Sequence, residues 1–74
     1  MPIEAEKQQL IAFGTAEIHR RFPDFDPEGM TPILTDREDN WELTYQLPDD
    51  WLGGAPVIVF RKSNRGIVDI YRTQ

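Results

Sequence analysis

Hydrophobic and polar residues alternate without interruption over residues 41–47. Large side chains occupy the odd positions, as Trp41, Leu43, Tyr45 and Leu47, and polar side chains occupy the even positions. A helix would scatter the four large side chains around its axis, whereas an extended chain places them all on one side. The pattern therefore predicts a β-strand with one dry face and one wet face.

Two further strands are predicted after this one. Residues 55–62 and 67–72 are rich in Val, Ile, Phe and Tyr, which are the residues that favour strands. Residues 63–66 between them have the composition of a turn, and Gly66 is free there to adopt a positive φ. The adjacent Gly53 and Gly54 predict a bulge or a tight bend at the start of the second of the three strands.

The chain before residue 41 predicts a fourth strand at the edge of the sheet. Residues 30–35 are apolar but include Pro32, which has no N–H to donate to a neighbouring strand. This favours an edge strand or an irregular lead-in. The charged residues 36–40 then form the turn into the strand that begins at Trp41.

A single helix is predicted over residues 3–22. Its apolar stripe is formed by Ile3, Ile11, Ile18 and Phe22, with Leu10 flanking it and Gly14 and Thr15 on the same side. Gly14 is costly inside a helix, so it indicates a close approach to the sheet or to an aromatic ring. Phe13 lies off the stripe, on the expected wet face of the helix. It is either a lone exposed aromatic, a side chain covered by a terminal segment, or a contact for another chain.

The predicted fold class is α+β, with one N-terminal helix packed on a curved four-stranded antiparallel sheet. The whole chain, residues 1–74, is expected to be one domain, with the helix at about 3–22 and a β-meander at about 30–73. One helix covers only one face of such a sheet.

Apolar side chains point to both faces of the third strand, which makes the sheet hard to cover. Val57 and Val59 lie on one side, and Ile58 and Phe60 lie on the other. Either the sheet curls strongly, or its second face contacts a partner or a second copy of the chain.

The charge balance narrows the class of partner. Thirteen acidic residues against eight basic ones give a net charge of −5 and a pI of about 4.6. This charge disfavours binding to nucleic acid and suits a basic protein partner, although it also simply keeps a small domain soluble. No apolar run approaches the roughly 18–20 residues that span a membrane, and the acidic N-terminus is unlike a secretory signal, so we expect a cytoplasmic protein.

The sequence favours no enzymatic chemistry, metal or cofactor. His19 is the only histidine and follows the pattern of a helix-end cation, and Ser63 is the only serine and lies in a turn. The acidic run around Glu38 has neither the spacing of a calcium loop nor that of a helical metal pair. The expectation is a protein that is not an enzyme.

The candidate partner-binding residues are apolar or aromatic groups in unusual places. Trp51 lies beside Asp49 and Asp50 in an otherwise polar connection, where it either folds back over the core or anchors a basic partner. The remaining candidates are Phe13, Ile58 and Phe60.

The order and spacing of several motifs resemble those of the small NTF2-fold immunity proteins of bacterial toxin systems. The motifs that carry the resemblance are Trp41-x-Leu43, Leu47-Pro48, Gly53-Gly54-x-Pro56-Val57-x-Val59, Lys62, Gly66 and Val68-x-Ile70. The resemblance implies a minimal cystatin-like or NTF2-like curved sheet.

The resemblance also implies a function, which is inhibition of a co-encoded toxin by binding. The expected partner is a basic toxin domain, and the expected contact surface is the outer face of the sheet together with the connection around Trp51. The alternative is a small structural module that forms a homodimer through its second apolar face.

Overall fold

The computed structural model describes residues 4–27, 30–47 and 54–72 of the 74-residue chain. The predicted α+β class is confirmed, because one helix packs on four antiparallel strands. The elements are α1 (Glu4–Arg21), β1 (Thr31–Arg37), β2 (Asn40–Gln46), β3 (Pro56–Arg61) and β4 (Ile67–Arg72). The strands lie in chain order, β1-β2-β3-β4, as an open antiparallel meander.

The turn between β1 and β2 is shorter than the sequence predicts. Arg37 pairs directly with Asn40, so only two residues connect the strands, and the prediction of a turn over residues 36–40 is wrong. Glu38 adopts a left-handed φ of 62°, and its N–H donates to the Asp36 carboxylate at 3.1 Å. The short polar connection is what a tight hairpin requires.

The turn between β3 and β4 places its left-handed residue at Arg65, with φ 58°, and not at Gly66. The Arg65 N–H donates to the Arg61 carbonyl at 2.9 Å, and the Gly66 N–H donates to the side chain of Asn64 at 2.8 Å. The side-chain amide of Asn64 therefore replaces part of the turn hydrogen bonding, which is a common use of asparagine.

The buried line of α1 consists of Leu10, Gly14 and Ile18, spaced four residues apart. The prediction placed Ile11 on the stripe and Leu10 at its flank, and the structure reverses these two: Ile11 is half-buried and Leu10 is buried. Positions four residues apart lie almost above one another on a helix, so this line forms the contact with the sheet. Ile3 lies outside the described residues.

The core lies between α1 and one face of the sheet. Its buried members come from the helix, the following loop and the two central strands: Leu10, Ile18, Phe25, Leu43, Tyr45, Ile58 and Phe60. The hydroxyl groups of Tyr45 and Thr15 form a hydrogen bond across the helix–sheet contact. Burial raises the pKa of the Tyr45 phenol above its ordinary value, because the charged phenolate is poorly solvated there.

An irregularity in the β3–β4 pairing gives β4 one extra residue. Val59 pairs with Asp69 and Phe60 pairs with Ile67, so Val68 is left between them as a β-bulge.

Candidate protein-interaction surface

The sequence suggested that Ile58 and Phe60 lie on an open face of the sheet, and the structure shows that they do not. Both side chains are fully buried beneath α1. Phe60 pairs with Trp41 and Ile58 pairs with Leu43, and directly paired residues share a face, so both point to the dry side of β2. They are core residues, and the surface defined below does not include them.

Phe13 is covered by the protein's own core, although the sequence placed it on the wet side of the helix. Its ring meets Phe60 edge to face, with the centroids 5.1 Å apart and an interplanar angle of 66°. The Arg65 guanidinium lies 5.8 Å from the centroid of the same ring. Half-buried in this way, Phe13 stabilises one border of the helix–sheet contact.

Three of the predicted contact residues, Asp49, Asp50 and Trp51, lie outside the described residues. Gly53, part of the predicted bend before β3, lies outside them as well.

The described residues show no cluster of side chains suited to binding a metal ion. Residues 4–27, 30–47 and 54–72 contain no group of three or more His, Cys, Asp or Glu side chains that could hold a metal. His19 is exposed near the end of α1, and Ser63 is exposed in the β3–β4 turn. Within these same ranges, no helix is long and apolar enough to cross a membrane.

The outer face of the sheet, opposite α1, carries a mixed surface of apolar and charged residues. We define it by the side chains that point away from the helix on the four strands: Thr31, Ile33, Thr35, Arg37, Asn40, Glu42, Thr44, Gln46, Val57, Val59, Arg61, Asp69 and Tyr71. Ile33 and Tyr71 are each 41% exposed, although both are large hydrophobic residues. Val57, which pairs with Tyr71, is buried on this face, and Val59 is half-buried.

The charges on the outer face lie in one row across the sheet and at one end of it. Glu42 and Asp69 flank Val59 from the two neighbouring strands. Arg37 contacts Glu42 at 3.4 Å, whereas no ion pair in the described part of the chain includes Asp69. Asp69 is therefore the carboxylate on this face that is open to a cation from outside.

Lys62 joins the two hairpins at one end of the sheet. Its ammonium group lies 2.5 Å from a carboxylate oxygen of Asp36 and 4.5 Å from the centroid of the Trp41 ring. The Lys62 ammonium donates a hydrogen bond to Asp36, and this bond together with the positive charge lowers the pKa of the Asp36 carboxyl below its ordinary value. An open depression of about 620 Å³ lies at this end of the sheet and is lined by polar residues of both hairpins, Lys62 among them. Its lining lacks the apolar walls that enclose small-molecule ligands.

Most of the exposed large hydrophobic side chains belong to β4. In the described part of the chain they are Ile67, Val68 and Tyr71 on β4 and Ile33 on β1, the two strands at the edges of the sheet. Sequence reasoning treated β4 as an ordinary strand and missed this feature. The available signal was the pair Ile67-Val68 beside a turn, followed by an acidic residue inside the strand.

One helix packed on one face of an open four-stranded antiparallel sheet defines a small α+β protein. Residues 11–74 match the family model of the NTF2-fold immunity proteins, and the chain belongs to that family. No curated protein matches the chain, and no solved structure matches it.

Proposed function

We propose that the chain is a non-catalytic immunity protein that binds a cognate bacterial toxin and neutralises it. The observation that carries the proposal is the family match over residues 11–74. The open outer face, with Ile33 exposed on β1 and Tyr71 exposed on β4 near the available carboxylate of Asp69, supports it, because large side chains of this kind supply binding energy at protein interfaces.

The proposed partner is a basic toxin domain. The net charge of −5 attracts a positively charged protein and speeds its encounter with this chain. The proposed contact surface joins the outer face to the connection that contains Asp49, Asp50 and Trp51. Trp51 is the proposed anchor, and the two carboxylates are proposed to receive basic side chains of the toxin.

The function can be tested by co-expressing the chain with the toxin domain encoded beside its gene. Cells that express the toxin alone are expected to stop growing, and cells that express both proteins are expected to grow. With purified proteins, toxin activity is expected to fall linearly and to vanish at a fixed molar ratio, because a binder is consumed by its target. Growth arrest despite co-expression would refute the proposal, and complete neutralisation by a small fraction of an equivalent would refute the non-catalytic mechanism.

The contact surface is tested separately by measuring affinity for the same toxin domain. Trp51→Ala and Tyr71→Ala are each expected to weaken binding by about tenfold or more, the usual effect of removing an aromatic anchor. His19→Ala serves as the control, since His19 is exposed on α1, on the other side of the sheet. Unchanged affinity in both aromatic variants would remove this surface from the proposal.

A further inference from the structure

The outer edge of β4 exposes a row of backbone hydrogen-bonding groups. The Arg61 N–H donates to the Gly66 carbonyl at 2.8 Å. The backbone N–H and C=O groups of the odd-numbered residues of β3 therefore point toward β4. In an antiparallel ladder the hydrogen-bonded pairs alternate with the others, so Val59–Asp69 and Val57–Tyr71 are the bonded pairs. The backbone N–H and C=O groups of the alternate residues of β4, Ile70 and Arg72, therefore point away from the sheet.

The opposite edge of the sheet, at β1, is less suited to a further strand. The Lys62 N–H donates to the Asp39 carbonyl at 3.0 Å, so the backbone N–H and C=O groups of the even-numbered residues of β3 point toward β2. Following the same alternation through β2, the backbone groups of Pro32 and Leu34 face the open side of β1. Pro32 has no N–H, so this edge lacks a donor near its start, and a proline on an edge strand is a common protection against unwanted pairing.

The side chains of β4 would flank an added strand on both faces. Tyr71 is exposed on the outer face, and Ile67, which pairs with Phe60, is 42% exposed on the helix side. Val68, the extra residue of the bulge, is 50% exposed. A strand laid along β4 would therefore gain main-chain hydrogen bonds and would also bury apolar surface, which is the usual basis of strand addition.

Charge decides between a foreign strand and a second copy of this chain. Two copies would each bring a net charge of −5, whereas a basic partner would be attracted. Asp69 makes its hydrogen bonds toward β3, so the residue opposite it on an added strand would belong to a close, non-hydrogen-bonded pair. A lysine or arginine at that position would meet the exposed Asp69 carboxylate.

We infer that the toxin is held by strand addition: an extended, basic segment of the toxin pairs with the open edge of β4, with a cationic side chain opposite Asp69. This inference rests on the proposed function. It assigns the main-chain contacts to Ile70 and Arg72, and it extends the outer-face contact across the edge of the sheet.

The direct test is residue-specific amide hydrogen exchange, measured by NMR on the free chain and on its complex with the catalytically inactivated toxin domain encoded beside its gene. The amides of Ile70 and Arg72 are expected to exchange rapidly in the free chain and about 100-fold or more slowly in the complex. The amide of Leu34, which faces the open side of β1 by the same alternation, is the control and is expected to stay unchanged.

A pair of matched variants tests the same point by affinity. Ile70→Pro removes an outward N–H from β4, and Leu34→Pro removes one from β1; both side chains are half-buried and pack against the core. Only Ile70→Pro is expected to weaken toxin binding, by about tenfold or more. If either variant fails to fold, the exchange measurement on the unaltered chain decides.

The outcomes separate this inference from the function on which it rests. Binding without protection of Ile70 and Arg72 overturns strand addition and leaves the immunity function in place. Failure of the toxin to bind at all overturns both. Protection of Ile70 in the free chain that grows with its concentration identifies a second copy as the occupant and overturns the inference.

Discussion

At the scale of single residues, Gly14 is where α1 comes closest to the sheet. A Cβ atom built on Gly14 would lie 2.5 Å from Leu43 Cδ2 and 3.4 Å from Ile58 Cγ2. Leu43 is fully buried, so its side chain has little room to move away. The glycine therefore weakens the helix locally but lets the two layers pack at close range.

Gly14→Ala is expected to destabilise the protein even though alanine favours helices. The gain in helix propensity is about 1 kcal/mol, and the overpacking against Leu43 costs about 1–3 kcal/mol, so the free energy of unfolding should fall by up to about 2 kcal/mol. Urea denaturation measures the change. Ala12→Gly, at an exposed position of the same helix, is the control and should cost about 1 kcal/mol from propensity alone. An increase in stability for Gly14→Ala would show that the close contact relaxes freely.

At the scale of elements, the two faces of the sheet have different roles. The inner face is covered by α1 and the loop that carries Phe25, which is buried and packs against Tyr45 with the ring centroids 5.5 Å apart and the ring planes tilted by 51°. The outer face keeps Ile33 and Tyr71 exposed. Stability is therefore concentrated on one side of the sheet, and the other side is available for contacts.

The same substitution on the two faces should separate these roles. Ile58→Val deletes a buried methyl group and should lower the free energy of unfolding by about 0.5–1.5 kcal/mol. Ile33→Val, at a side chain that is 41% exposed, should change it by about 0.5 kcal/mol or less. Thermal or urea unfolding measures both. Equal losses would mean that the outer face is as well covered as the inner one.

At the scale of the whole molecule, small size and negative charge act together. A domain of this length has a stability of only about 3–5 kcal/mol from its own core, so a tight partner would add substantially to it. The net charge of −5 is spread over a small surface, and it sets the sign of the long-range field that a partner meets first.

The rate of toxin association should therefore depend on salt. Raising the ionic strength from low values to about 0.5 M should lower the association rate constant by about tenfold or more, because the Debye length becomes shorter than the encounter distance. The dissociation rate should change much less. Stopped-flow fluorescence over a salt series measures both rates. An association rate that does not respond to salt would argue against a basic partner.

Much of the fold could be predicted, because it is written in local patterns. Alternation from Trp41 to Leu47 predicts β2, the apolar stripe predicts a helix over about residues 3–22, and Pro32 marks an edge strand; the structure has each of these elements. The family resemblance, which followed from the order of the motifs, is confirmed by the match over residues 11–74. The contacts with a partner stay predictions.

The sequence by itself determined which segments form the helix and the strands, since periodicity and turn composition act within a few residues. Only the tertiary structure decided which side of β3 faces α1. Val57, Ile58, Val59 and Phe60 are apolar on both sides, so no local pattern distinguishes the sides, and the choice is made by the pairing of Phe60 with Trp41 in β2. The same packing covers Phe13 and leaves the apolar side chains of β4 at an open edge, because burial depends on which elements meet in space.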